Sequence, residues 1–267
     1  MTPGGEPRVS DFGISLDQPP PRRGRDPDAP RDAREEGEDP RFALAAAVRR
    51  VIALVVGANI PDDDIRAATA AVDQLADTMA AAAGPGRRPR SQPDPLGHPQ
   101  DFFPTSPVIG FANPVAPPVQ VEAVDGVLRG TATFDHQYEG PPSCVHGGII
   151  ALVFDEMLGA ANIAVGQPGM TGTLTIRYRR PTPIMTPLRL EAAFVSRDGR
   201  KITTRGAIYD GEELTAEAEG IFIELVPERF IEVVGRHSAA AEVMAQIRAD
   251  AERLGVASPE AQPVADP

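Results

Sequence analysis

The chain has 267 residues, a net charge of -12 and a pI near 4.8. That balance excludes a general nucleic-acid binder, because neutralising phosphates needs a basic face. Any anionic ligand must then be held by a local basic cluster. Cys144 is the single cysteine, so the sequence builds neither an intramolecular disulfide nor a cysteine-based zinc site, and a reducing cytoplasm is expected. Lys201 is the one lysine among 26 basic residues, and Ala and Pro abound, which reads as the codon bias of a GC-rich bacterial genome.

Residues 1–40 hold eight prolines, mixed charges and few large apolar groups, so they are expected to form a disordered tail. The first residues lack the basic start and apolar core of a signal peptide. Residues 41–83 turn Ala-rich and helical, over Phe42 to Val56 and Asp62 to Ala83. Asp62, Asp63 and Asp64 suit the positive end of the second helix. Ile65, Ala68, Val72, Leu75, Ala76 and Met79 recur at helical spacing, so a hairpin is expected whose stripe packs on the main domain or on another subunit. The apolar run FALAAAVRRVIALVVGANI is interrupted by Arg49 and Arg50, while crossing a bilayer takes roughly 20 apolar residues, so no membrane span is expected.

Ten prolines over residues 84–120 argue for a linker and then, around Phe102, Phe103, Val108, Ile109 and Phe111, for a segment laid over the domain surface. Residues 119–226 read as strands. Asp-Gly steps at 125–126, 198–199 and 210–211 separate stretches rich in Val, Ile, Thr and Tyr, which predicts antiparallel hairpins. In MTGTLTIRY strict alternation puts Met170, Leu174, Ile176 and Tyr178 on one face and Thr171, Thr173, Thr175 and Arg177 on the other. Among these strands, Gly147 to about Val165 is a helix apolar over most of its circumference, expected to be enclosed by the sheet. Residues 227–267 predict a last amphipathic helix, with Val243, Ile247 and Leu254 on one side, and a frayed end.

Candidate chemistry gathers in GPPSCVHGGIIALVFDEMLGAA, residues 140–161. Gly147 and Gly148 open the helix, where unpaired N–H groups can stabilise an oxyanion and a glycine lets a ligand approach. His146 either orients a substrate carbonyl or caps the helix. Asp155 is eight residues past Gly147, about 12 Å along the axis at about 1.5 Å per residue. Both cannot touch one carbonyl from one helix, so a catalytic reading requires two chains side by side. Glu156, about 100° round the wheel, is expected to be structural or solvent-facing. A thiolate–imidazole pair of Cys144 and His146 has no third group to support it. Arg177, Arg179 and Arg180 at a strand exit, and Arg197, Arg200 and Lys201 about a turn, suit phosphate groups, though solvated rim charges are the ordinary alternative. No glycine-rich phosphate loop accompanies them.

Taken together, YEGPPSCVHGGIIALVFDEMLG, GMTGTLTIRYRRPTPI and RDGRK resemble the PaaI-like branch of the hotdog-fold acyl-CoA thioesterases, within the 4-hydroxybenzoyl-CoA thioesterase superfamily. The resemblance covers roughly residues 119–226. It implies an α+β hotdog fold, a curved antiparallel sheet around one long central helix, here with an N-terminal helical extension. It further implies hydrolysis of an acyl-CoA to a free acid and coenzyme A without metal or other cofactor, in homodimers or larger assemblies of dimers with sites between subunits. By that likeness Gly147 polarises the thioester carbonyl and His146 shapes the same corner. Asp155 of the other subunit activates water or attacks directly, and Thr171 orients the water or carboxylate. Gly148 lines the site, and Arg179, Arg180, Arg200 and Lys201 meet the coenzyme A phosphates. Two departures stand out: Gly140 where many relatives carry Asn, and Thr171 where a number carry Ser. The competing expectations are a non-catalytic acyl-CoA binding or sensing module and a hydration or dehydration reaction on the same fold.

Overall fold

The computed structural model describes residues 40–84, 104–124 and 126–224. The expected tail before Pro40, the linker over 85–103 and the final helix after 227 lie outside the described residues. Six strands form one antiparallel sheet: β1 (Val119–Val124), β2 (Val127–Ala132), β3 (Gly169–Tyr178), β4 (Leu188–Asp198), β5 (Lys201–Asp210) and β6 (Glu213–Glu224), in the order β1-β2-β4-β5-β6-β3. Gly126, Gly199 and Gly211 close the three hairpins at φ 78°, 53° and 55°, left-handed values that side chains with a Cβ adopt at a cost. β3 is an outer strand, with β6 on one side and no strand on the other among the described residues.

The long apolar segment is a helix, Gly147–Ala164, which crosses the inner face of the sheet; with two helices preceding it, it is α3. Val153, Phe154, Met157, Leu158 and Ala161 are buried against Leu128, Leu188, Leu190, Ile202, Ile208 and Phe222. Gly206 and Gly220 let it come close: a Cβ on either would stand 3.0 Å from a Leu158 methyl. By length and composition this helix could cross a membrane, but here it is the core helix under the sheet. Inside that core Thr204 Oγ1 donates to Asn162 Oδ1, which pairs a buried hydroxyl with a buried amide oxygen.

The two earlier helices are α1 (Pro40–Gly57) and α2 (Asp62–Ala82). α1 is docked. Arg49 donates to the carbonyls of Asn113 (2.9 Å) and Ala116 (3.3 Å), and Phe42 meets Phe111 edge-on. For α2 one of the two expected partners is set aside. None of its residues is buried, and Ile65, Val72, Leu75 and Met79 are exposed, so among the described residues its stripe does not pack on the main domain.

The alternation expected for β3 is also corrected, because it assumed an unbroken pleat. Thr171 pairs with Phe222 and Thr173 with Ile221, leaving Gly172 as an extra residue in the ladder. Such a bulge reverses which face a side chain takes. Thr171 therefore shares the helix-facing side with Leu174, Ile176 and Tyr178, and Met170 moves to the outer side.

Candidate active site

The approach to α3 is a short, heavily bonded loop. Tyr138 O accepts the His146 N–H at 2.8 Å, Thr182 O accepts from Val145 at 2.8 Å, and Gly140 N–H reaches Cys144 O at 2.9 Å. Ser143 sits in the left-handed region at φ 62°, and its N–H donates to the Glu139 carboxylate, which holds that carboxyl below the usual range. Gly140 lies so near the helix start that a Cβ there would fall 2.8 Å from His146 Cα. The loop thus has no space for a larger residue at 140 unless His146 moves. Cys144 is half-buried and enters through its backbone, in an isolated bridge to Pro183.

Of the two roles weighed for His146, the structure gives it the cap: Nδ1 accepts the Gly148 N–H at 2.9 Å. An accepting Nδ1 means a neutral ring protonated at Nε2, so this second nitrogen is a donor at the exposed helix start. The cap narrows the expected pair of backbone donors to one. Gly148 N–H is occupied, whereas Gly147 N–H has no acceptor among the described residues. Gly147 O accepts from Tyr178 Oη at 2.9 Å.

Two turns along the helix, Asp155 is exposed and accepts a 2.7 Å hydrogen bond from Thr171 Oγ1. The bulge at Gly172 is what makes this possible, since an unbroken strand would aim Thr171 away from the helix. One carboxylate oxygen is held and the other remains available. Asp155 and Gly147 stand about 12 Å apart along α3 at about 1.5 Å per residue, so this chain presents two half-sites and not one closed site.

Glu156 is the enclosed member of the pair. Burial pushes its carboxyl up from the ordinary 4.5, Ser106 opposes the shift and the neighbouring Asp155 charge adds to it. Ser106 Oγ donates to Glu156 at 3.1 Å and accepts from the N–H groups of Val108 and Ile109, which fastens the covering segment to α3. Ser106 escaped the sequence reading because a serine in a Pro-rich stretch carries no periodic signal. Folded Glu156 binds its proton more tightly than unfolded, so stability falls as pH rises from the ordinary glutamate range through the raised folded value. Glu156→Gln keeps an acceptor for Ser106 and removes the buried charge. It should melt above wild type at pH 8 and converge with it near pH 4; a lower melting temperature at pH 8 would contradict the assignment.

The arginines are not gathered at one point. Arg179 pairs with Glu217 and Arg180 with Glu213 at 3.1 Å, at the end of β3, while Arg197 pairs with Glu224 at 2.6 Å near the β4–β5 turn. Arg200 donates to Glu224 O at 3.5 Å and Lys201 opens β5. Arg179 and Arg180 lie beyond one end of β3, and Arg200 and Lys201 flank the other, where Gly169 pairs with Glu224. Ten residues of strand separate them, about 30 Å at about 3.3 Å each. One phosphate cannot meet both groups within one chain. Among the described residues no three His, Cys, Asp or Glu side chains are grouped to hold a metal ion.

Comparison with known proteins fits this architecture. The thioesterase superfamily profile matches residues 143–217, which run from the loop before His146 to β6. Acyl-coenzyme A thioesterase THEM4 of Xenopus laevis is 35% identical over 91 residues, 33% of this chain and 41% of that protein. The Mus musculus protein of the same name is 34% identical over 93 residues, 34% of this chain and 40% of its own length. This chain thus spans about two fifths of the curated relatives it matches. A thioesterase superfamily protein of known crystal structure is 34% identical, with a TM-score of 0.62, over 70% of this chain and 96% of its own. That match reaches well beyond the sheet and α3 and takes in nearly all of the other protein. On sequence and fold together, the chain is a member of the thioesterase superfamily, built on the hotdog fold.

Proposed function

We propose that this protein hydrolyses acyl-CoA thioesters to a carboxylic acid and coenzyme A, at sites assembled between two copies of the chain. The observation that carries the reading is the Thr171–Asp155 hydrogen bond, set two helical turns from an unoccupied Gly147 N–H. A second copy beside the outer edge of β3 would bring one half-site to the other, and Leu152, Met170 and Tyr178 are exposed along that side. The names of the THEM4 relatives support the substrate class.

In this reading the thioester carbonyl oxygen rests on Gly147 N–H, with His146 Nε2–H at the same corner. Asp155 of the second copy takes a proton from water through the oxygen that Thr171 leaves free. The water oxygen bonds to the carbonyl carbon, the C–S bond of the tetrahedral intermediate breaks, and the departing thiolate takes the proton that Asp155 had accepted, which restores the base. The donors at Gly147 act where negative charge develops, which is where preorganised hydrogen bonds lower a barrier most. Arg179 and Arg180 of one copy with Arg200 and Lys201 of the other are the proposed phosphate contacts, which requires Glu217 and Glu213, the present partners of the first two, to yield. We place the protein in a bacterial cytoplasm, on its single cysteine and lysine-poor composition.

The test is thiol release from purified protein given acetyl- to palmitoyl-CoA, phenylacetyl-CoA and benzoyl-CoA. Release from at least one ester is expected. Tight binding of acyl-CoA by a folded dimer without any release would replace hydrolysis by the binding-module reading.

A further inference from the structure

We propose that Tyr178 is a positioning residue for the carbonyl-binding half-site. This inference rests on the hydrolase reading above and deepens it. Tyr178 ends β3 on the helix-facing side, in line with Thr171 beyond the bulge. Its Oη donates to Gly147 O at 2.9 Å, and its ring lies against Gly147, since a Cβ there would be 3.4 to 3.5 Å from Oη, Cζ and Cε1. Both functional stations of α3 are therefore tied by hydroxyl groups of one strand, Asp155 by Thr171 and Gly147 by Tyr178.

The two tethers do different work. Thr171 holds a carboxylate, whereas Tyr178 holds the carbonyl of the residue whose own N–H is the free donor. A helix that begins with two glycines has little steric definition in its first turn. His146 fixes the Gly148 N–H, and Tyr178 fixes the Gly147 carbonyl. Between them these contacts leave Gly147 N–H pointing outward from a defined frame. Within one chain folding gives this tyrosine little to do, because it is 54% exposed and its ring is not in the buried core; a second copy at β3 would cover it, so the variant's dimer is checked by sedimentation alongside its activity. Loosening the frame should penalise the transition state more than the bound substrate, since the donor's aim matters most when charge reaches the oxygen.

Tyr178→Phe removes the hydroxyl and keeps the ring. With the wild type's best acyl-CoA, kcat should fall about tenfold while KM stays within about twofold, the pattern of an interaction realised in the transition state. In glycine-labelled protein the Gly147 and Gly148 amide resonances should shift, and those of Gly169 and Gly199, at the opposite end of the sheet, should not. Unchanged kcat, or a change confined to KM, would overturn the proposal. So would a kcat loss without movement at Gly147, which would mean direct action on the substrate, or a general shift with a lowered melting temperature, which would mean a structural role. If the wild type hydrolyses none of the esters, the hydrolase reading fails by itself. The Gly147 amide response then still decides whether Tyr178 sets that peptide.

Discussion

Replacing Asp155 with Asn should lower thiol release by about 10²- to 10⁴-fold, the range in which a positioned general base contributes, while leaving the melting temperature near wild type. The geometry is what separates chemistry from stability here. Asp155 is exposed, and the amide oxygen of Asn can still accept from Thr171 Oγ1, so neither packing nor the tether is lost. Only proton uptake disappears. Steady-state thiol release beside a thermal melt measures both sides. Wild-type turnover in a folded Asp155→Asn protein would remove Asp155 from the mechanism.

Gly147→Pro should be nearly as damaging, at about 10²- to 10³-fold, the usual loss when one oxyanion donor is deleted. Proline suits the first residue of a helix, where its missing N–H interrupts no internal bond. His146 precedes it at ψ 133°, an extended conformation that a following proline accepts. The added Cβ makes ordinary contact with Tyr178 at 3.4 Å. The substitution therefore removes the donor at little cost to the helix, and sets a ring methylene where the thioester oxygen would rest. Its sharper use is in combination. Asp155→Asn and Gly147→Pro chains, each inactive alone, should regain about a quarter of wild-type activity when mixed equally and allowed to exchange, because half the two-fold dimers then hold one intact site of two. No recovery in a mixture shown by native mass spectrometry to contain heterodimers would place both groups in sites of a single chain.

Much of the scaffold was legible because each strand carried its own punctuation. The Asp-Gly steps require left-handed glycines, and Gly199 and Gly211 supply them at the β4–β5 and β5–β6 turns. α3 was legible from an apolar run too long for a strand. The site was legible in its residues but less so in its geometry. His146, Asp155 and Thr171 could be listed, yet strict alternation put Thr171 on the wrong side, since a bulge at Gly172 is a property of the β3–β6 ladder and has no local signature. Glu156 was read as structural or solvent-facing, and it proved to be structural and enclosed, a choice the sequence could not make because its partner Ser106 lies fifty residues earlier. α2 was legible only as a helix, for a related reason: periodicity shows that a stripe exists, not what covers it.

The bulge has a consequence for how this sequence tolerates change. A strand is read two residues at a time, and Gly172 acts as a frameshift in that reading, so residues on either side of it obey opposite inside-and-outside rules. The frame that reserves the inner face for Leu174 and Ile176 thereby delivers a hydroxyl to Asp155 from a position that alternation assigns to solvent. Loss or gain of a single residue here would change no side chain in the site, yet it would put the wrong one opposite the carboxylate. Spacing between Thr171 and Leu174 is for this reason a stricter constraint than the identity of the residues between them.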